Sequence, residues 1–203
     1  MAERPRLTEL TVRDMRRMNL PEEHWDKCVD HIPESVREAV HRYCRKIDTF
    51  VRRGVGLCIS GGRGVGKSTT VGVIARYVRM GGYSVYFGDV YETREHIRNR
   101  ELIDAHQTVN EQLREVDFLI LDNLEPRDAD AKFFGGAEII ALIKGRAVRH
   151  KPTVVVLSDP VGIQQASPEL VAVMQDYLIE VDVVGPSLRK EHMAELSKGL
   201  GLG

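Results

Sequence analysis

The sequence predicts an α/β domain: a five-stranded parallel sheet with helices on both faces. Two observations carry this. Short apolar runs at residues 55–60, 83–87, 116–121, 153–157 and 178–184 alternate with stretches of helical periodicity, and buried strands separated by helices pair in parallel. The first run ends in a glycine-rich turn that opens directly into a helix, a strand-loop-helix unit with a chemistry of its own.

The elements follow in order. Residues 7–18 space Leu7, Leu10, Met15 and Met18 as on a helix, and Asn19, Leu20 and Pro21 end it. Residues 35–53 place Val36, Val40, Tyr43, Ile47, Phe50 and Val51 at helical spacing before the stop signal Gly54. After the strand at 55–60, a helix from 66 to 80 stops at Gly81 and Gly82. The strand at 83–87 is followed by a mostly helical stretch to about residue 115, and the strand at 116–121 by a helix over 133–149. The strand at 153–157, a helix over 168–177 and the run 178–184 complete the alternation before Gly185 and Pro186.

Composition fits one folded domain. The chain has 203 residues, 42% hydrophobic and 29% charged, which excludes collagenous, low-complexity and wholly disordered classes. Twenty-nine basic residues against 30 acidic ones give a formal net charge of −1, so contact with nucleic acid requires a local patch. Cys28, Cys44 and Cys58 form no C-x-x-C pair and suit neither a disulfide framework nor a zinc site. With no apolar signal core at the N-terminus and no run long enough to span a bilayer, the expected location is cytoplasmic.

Gly61, Gly62, Arg63, Gly64, Val65, Gly66, Lys67 and Ser68, continuing to Thr69, satisfy G-x-x-x-x-G-K-[ST] between a strand and a helix. In that setting backbone N–H groups and the helix N-terminus face phosphate oxygens, Lys67 reaches the terminal phosphates and Ser68 offers its hydroxyl to Mg2+. The second half of such a site is an acid at the end of a buried strand, and Asp122 after Asp117-Phe-Leu-Ile-Leu is the candidate. N-K-x-D does not occur, which favours ATP over GTP. The strand, helix and strand after Asp122 suit an AAA+ core without a C-terminal lid domain.

Residues from about 20 to 190 resemble the ATPase domain of DnaC-type helicase loaders and the related IstB transposition helpers. The resemblance rests on Leu20-Pro-Glu-Glu-His-Trp, GVGLCISGGRGVGKST, GGYSVYFGDV, DFLILDNLE, KPTVVVLSDP and GPSLRK. It implies an ATP-controlled protein that delivers a hexameric replicative helicase to single-stranded DNA and self-assembles with ATP at subunit interfaces. An ATP-gated DNA adaptor of the IstB type, with weak or no hydrolysis, is the alternative. The resemblance divides the chain into an N-terminal extension at 1–32, a candidate partner-docking segment, an AAA+ core at 33–190 and a short tail at 191–203.

The pattern departs from the family in two places. The acid that usually follows the strand-end Asp is replaced by Asn123, and where the sensor strand normally ends in Asn this chain reads Ser158-Asp159. Asp159 is therefore a candidate for the missing carboxylate and Glu125 its rival. The trans-acting arginine of relatives is absent from Asp176-Tyr177-Leu178, leaving Arg146, Arg149 and Arg189 as substitutes. Arg94, Arg98 and Arg100, interleaved with Glu92, Glu95 and Glu101, are candidate DNA contacts or a salt-bridged surface. Arg13, Arg16 and Arg17 on the first helix suit docking to a partner. Trp25 is expected near the adenine or in the core, and His24, His31 and His41 have no ligand geometry.

Overall fold

The computed structural model describes residues 9–99, 108–124, 137–158, 161, 164 and 167–188. Strands β1 (Gly56–Gly61), β2 (Val85–Asp89), β3 (Phe118–Leu124), β4 (Thr153–Leu157) and β5 (Leu178–Val183) form one parallel sheet in the order β2-β3-β4-β1-β5. Helices α1 (Val12–Arg17), α2 (Glu34–Arg45), α3 (Ile47–Arg52), α4 (Lys67–Met80), α5 (Val90–Arg98), α6 (Val109–Glu115), α7 (Ala137–Val148) and α8 (Pro168–Tyr177) surround it.

Strand alternation divides the interior into two cores. Leu57, Ile59, Phe118, Ile120, Val154 and Val156 point to the face covered by α1 to α4. Cys58, Leu119, Leu121, Val155 and Leu157 point to the face covered by α5 to α8. Because both faces are buried, the strands read as continuous apolar runs, which is why they were legible by composition alone.

Three expectations need correction. The single helix expected over 35–53 breaks at Lys46 (φ −109°, ψ 21°) into α2 and α3. The rings of Tyr43 and Phe50 stack 4.7 Å apart, whereas a straight helix would separate positions i and i+7 by about 10 Å along its axis. The expected helix over 7–18 runs only from Val12, started by a capping box in which the Thr11 hydroxyl and Asp14 satisfy each other's backbone N–H groups. Nor are the described residues of the expected extension at 1–32 an appendage.

Met15, Met18, Leu20 and Ile32 are buried in the same core as the sheet. The Phe87 N–H donates to Met18 O at 2.8 Å and Asn19 Nδ2 donates to Phe87 O at 3.0 Å, so the segment seals the outer edge of β2. Arg79 on α4 grips Asp14 Oδ1 through Nε at 3.1 Å and Nη2 at 2.7 Å. No described helix is long and apolar enough to cross a membrane.

Candidate functional site

The site is assembled at the carboxyl ends of β1, β3, β4 and β2. At Gly61 (φ 141°) a side chain would sit 2.3 Å from Val183 O, and at Gly66 (φ 98°) it would meet the Pro33 ring at 2.9 Å. Glycine alone lets the loop curl between its neighbours and deliver the N-terminus of α4 to its mouth. Lys67 is buried, and its Nζ donates to Gly61 O at 2.8 Å and Gly62 O at 2.6 Å. The Leu188 N–H donates to Gly64 O at 2.9 Å, tying the chain after β5 to the loop.

Asp122 lies beside this loop, hydrogen-bonded to the Ser68 side chain. Burial raises its carboxyl above the ordinary range, opposed by the Ser68 bond and by the Asn123 N–H, which donates to Asp122 Oδ1 at 2.8 Å. The register between β3 and β4 passes from Leu121↔Val155 to Leu124↔Leu157, so β3 carries one extra residue there. Such a bulge re-aims side chains at a strand end. Asn123 absorbs it with φ 67°, a left-handed conformation that asparagine tolerates better than most residues. Its Nδ2 then donates to Asp89 Oδ2 at 3.0 Å.

A cavity of about 920 Å³ opens over these groups. It is lined by Lys67, Ser68, Thr69, Asp122, Asn123 and Ser158, by Asp89 and Glu92, and by Arg16, Asn19, His24 and Trp25 of the N-terminal segment. His24 is buried against Gly72, where a side chain would come within 2.9 Å of its Cβ. Burial pushes its imidazole below the ordinary value, favouring the neutral ring. Trp25 Nε1 donates to Leu20 O at 2.8 Å.

The donor set fits magnesium. A carboxylate and a hydroxyl, both hard oxygen donors, meet beside a phosphate-type loop, and Mg2+ typically takes one or two protein oxygens with water and phosphate supplying the rest. No His/Cys/Asp/Glu cluster among the described residues forms a cage that would hold a different metal by protein ligands alone.

The structure brings together Gly61 to Ser68 and Asp122, as the sequence pattern requires, and adds Asp89, which has no motif of its own, and Glu92, which the sequence places only among the charges around Arg94. Their signal was the acid that ends β2 and opens α5: Asp89 Oδ1 caps α5 by accepting from Tyr91 N at 2.8 Å and Glu92 N at 3.2 Å. Asp159, Glu125, Arg100 and Arg189 lie outside the described residues.

Two arginine assignments are corrected. Arg146 is fully buried, with Nε donating to Thr153 Oγ1 at 3.0 Å, Nη1 to Leu113 O at 2.7 Å and Val116 O at 2.8 Å, and Nη2 to Pro152 O at 2.8 Å. A guanidinium so enclosed cannot reach another subunit. Arg94 is only 8% exposed and pairs with Glu138 at 3.5 Å, so it faces α7 rather than a nucleic-acid surface. Arg98 is exposed and pairs with Glu95 at 3.1 Å, and Arg149 with Glu115 at 2.8 Å. Arg149 precedes β4 and so lies toward the amino-terminal end of the strands, away from the glycine loop at their carboxyl ends.

No family model and no curated protein matches the sequence. Solved structures do share the fold. The crystal structure of DnaI aligns with a TM-score of 0.62 at 16% identity, over 86% of this chain and 98% of that one. The DnaC helicase loader aligns with a TM-score of 0.60 at 17% identity, over 81% and 100%. The replication initiator DnaA bound to AMPPCP and single-stranded DNA aligns with a TM-score of 0.60 at 17% identity, over 90% of this chain and 57% of that one. The chain thus has the P-loop AAA+ fold.

Proposed function

We propose that this chain binds ATP with Mg2+ at the glycine loop and acts as a helicase loader, delivering a hexameric helicase to single-stranded DNA. The observation that carries the nucleotide reading is the meeting of Lys67, Ser68 and Asp122 at one end of a parallel sheet. The loader reading is supported by the DnaI and DnaC folds, which match over nearly their whole length. A DnaA relative of the same fold carries both AMPPCP and single-stranded DNA, which supports the same ligand classes here.

Within this reading the chain's own groups divide the work. The N–H groups of residues 62–68 and the dipole of α4 hold phosphate oxygens, and Lys67 turns from the Gly61 and Gly62 carbonyls to the terminal phosphates. Ser68 and Asp122 hold Mg2+, which when bound neutralises charge on the β- and γ-phosphates. Ser158, directly after β4, lines the same cavity. Self-assembly through nucleotide-bridged interfaces belongs to this reading, with Arg149 and Arg189 the remaining trans candidates.

Asn123 favours one second reading: an adaptor of the IstB type that binds ATP and DNA but hydrolyses slowly. Nucleotide binding, single-stranded DNA binding and capture of a hexameric helicase, measured for the wild type and Lys67→Ala, separate the outcomes. The loader reading expects Lys67→Ala to weaken ATP binding at least tenfold and ATP-dependent helicase capture with it. Absence of ATP binding by the wild type defeats the nucleotide reading. ATP and DNA binding without helicase capture leaves the adaptor.

A further inference from the structure

The geometry points to Asp89 as the carboxylate that orients the attacking water in ATP hydrolysis, held in place by the Asn123 amide. This rests on the ATP-binding reading above and adds to it a residue on a different strand from the one where the sequence pattern looks for an acid.

Three observations converge on Asp89. First, it occupies the register position on β2 directly opposite Asp122 on β3, so the two carboxylates emerge side by side at the end of the sheet. Second, it lines the cavity that also contains Lys67, Ser68, Asp122 and Ser158. Third, its side chain is fixed on both oxygens: Oδ1 accepts the Tyr91 and Glu92 N–H groups, and Oδ2 accepts Asn123 Nδ2 at 3.0 Å. A carboxylate has about four acceptor positions, so these three bonds leave one lone pair, on Oδ2, for a water in the cavity.

Asn123 is the positioning residue in this arrangement. The bulge puts its backbone at φ 67°, and its Nδ2 reaches across to Asp89 on β2. An acid at 123 would face Asp89 as a like charge at hydrogen-bonding distance, which is unfavourable unless one of them is protonated. The amide removes that conflict and gives Asp89 a donor. The site therefore keeps one acid and one amide across β2 and β3, with the acid on β2.

The step balances as follows. The oxygen of the water held by Asp89 forms a bond to the γ-phosphorus as the bridging oxygen-phosphorus bond breaks. That bond's electron pair leaves with ADP, and the proton from the water ends on the released phosphate. Asp89 supplies orientation by accepting the water's hydrogen bond, a contribution realised only when the nucleotide is in place.

The test uses Asp89→Asn, which retains an oxygen able to cap α5, removes the charge and puts an NH2 in place of Oδ2, which the Asn123 amide meets with its oxygen by turning over. ATP binding and steady-state hydrolysis are measured separately, with thermal melting as a check of folding, for the wild type, Asp89→Asn, Asp89→Asn/Asn123→Asp, Glu92→Gln and Asp159→Asn. The expected result is a fall of about 100-fold in turnover for Asp89→Asn, with ATP affinity within about threefold of wild type by the same reasoning that binding and catalysis are separable. The double variant reverses the acid and the amide across the same hydrogen bond. It is expected to regain at least about tenfold over Asp89→Asn, a rescue that a merely structural role for Asp89 does not produce.

Wild-type turnover in Asp89→Asn overturns the proposal, whichever of Glu92→Gln or Asp159→Asn then proves inactive. A wild type that binds ATP without hydrolysing it overturns the proposal and leaves the nucleotide reading intact. A wild type that binds no ATP defeats the nucleotide reading itself.

Discussion

Replacing Arg146 by methionine tests whether its guanidinium is an internal brace. The side chain is fully buried and donates to four acceptors at 3.0 Å or less: Thr153 Oγ1 and the carbonyls of Leu113, Val116 and Pro152. These belong to the last turn of α6 and its link to β3, and to the start of β4, so one residue on α7 fastens two strand starts. Burial lowers its pKa to about 10, with Asp117 and Glu115 opposing the shift, which leaves it protonated at neutral pH. Methionine keeps the apolar stem and removes every donor. The Thr153 hydroxyl can rotate to a new partner and Pro152 O keeps the Leu119 N–H at 3.3 Å, but the Leu113 and Val116 carbonyls are orphaned, each at about 1–3 kcal/mol. Release from the several kcal/mol needed to bury the cation offsets part of that loss. The net expectation is destabilisation of about 3 kcal/mol by urea unfolding, with a fall in Tm of roughly 6–12 °C for a chain of this size. A variant within about 1 kcal/mol of wild type that instead loses ATP turnover only at protein concentrations where subunits associate would refute the brace and restore a trans role.

Two further predictions probe the segments around the site. Cys28 is exposed, whereas burial pushes the thiols of Cys44 and Cys58 up to about 12; a thiol-reactive chromophore at pH 8 is expected to label one cysteine promptly in the native protein and three in denaturant, and prompt native labelling of two would contradict the packing of α2 or β1. Asp14 is held well below the ordinary carboxylate range by the Thr11 hydroxyl and then by Arg79. The unfolded chain therefore takes up this proton first as pH falls, so the stabilisation is complete above about pH 5 and is lost progressively below about pH 4. Asp14→Ala, which removes the carboxylate from the capping box, is expected to cost about 1 kcal/mol at pH 7 and distinctly less at pH 3, and an equal cost at both values would show that the ionised carboxylate contributes nothing.

The parts of the fold that follow from local physics were legible. Parallel strands buried on both faces must be apolar throughout, and helices between them must carry a periodic stripe, so all five strands and the glycine loop stood out from residues alone. The N-terminal segment was misjudged for a reason of scale. Met15, Met18 and Leu20 are few and close together, and nothing local reveals that their partners lie on α4 and β2 some 60 residues away. The Arg146 brace was hidden for the same reason: three backbone carbonyls have no sequence signature, so a buried cation satisfied by them reads as one more surface charge on an amphipathic helix.

Asn123 shows how a sequence departure changes meaning once the backbone is known. By position alone it is an acid gone missing, and the search for a replacement runs naturally to the neighbouring strand β4. The geometry supplies an independent reason for asparagine. The bulge between Leu121 and Leu124 forces one residue into positive φ, where a glutamate would be strained by about 1 kcal/mol or more. Asparagine relieves that strain and at the same time bonds Asp89 on β2. A residue selected only for turn geometry would leave its amide in water, and one selected only as an inert remnant would have no call for a fixed partner. The amide bond to the one acid that stands opposite Asp122 therefore moves the site's second carboxylate to β2, and the identity of residue 123 follows from where that carboxylate stands.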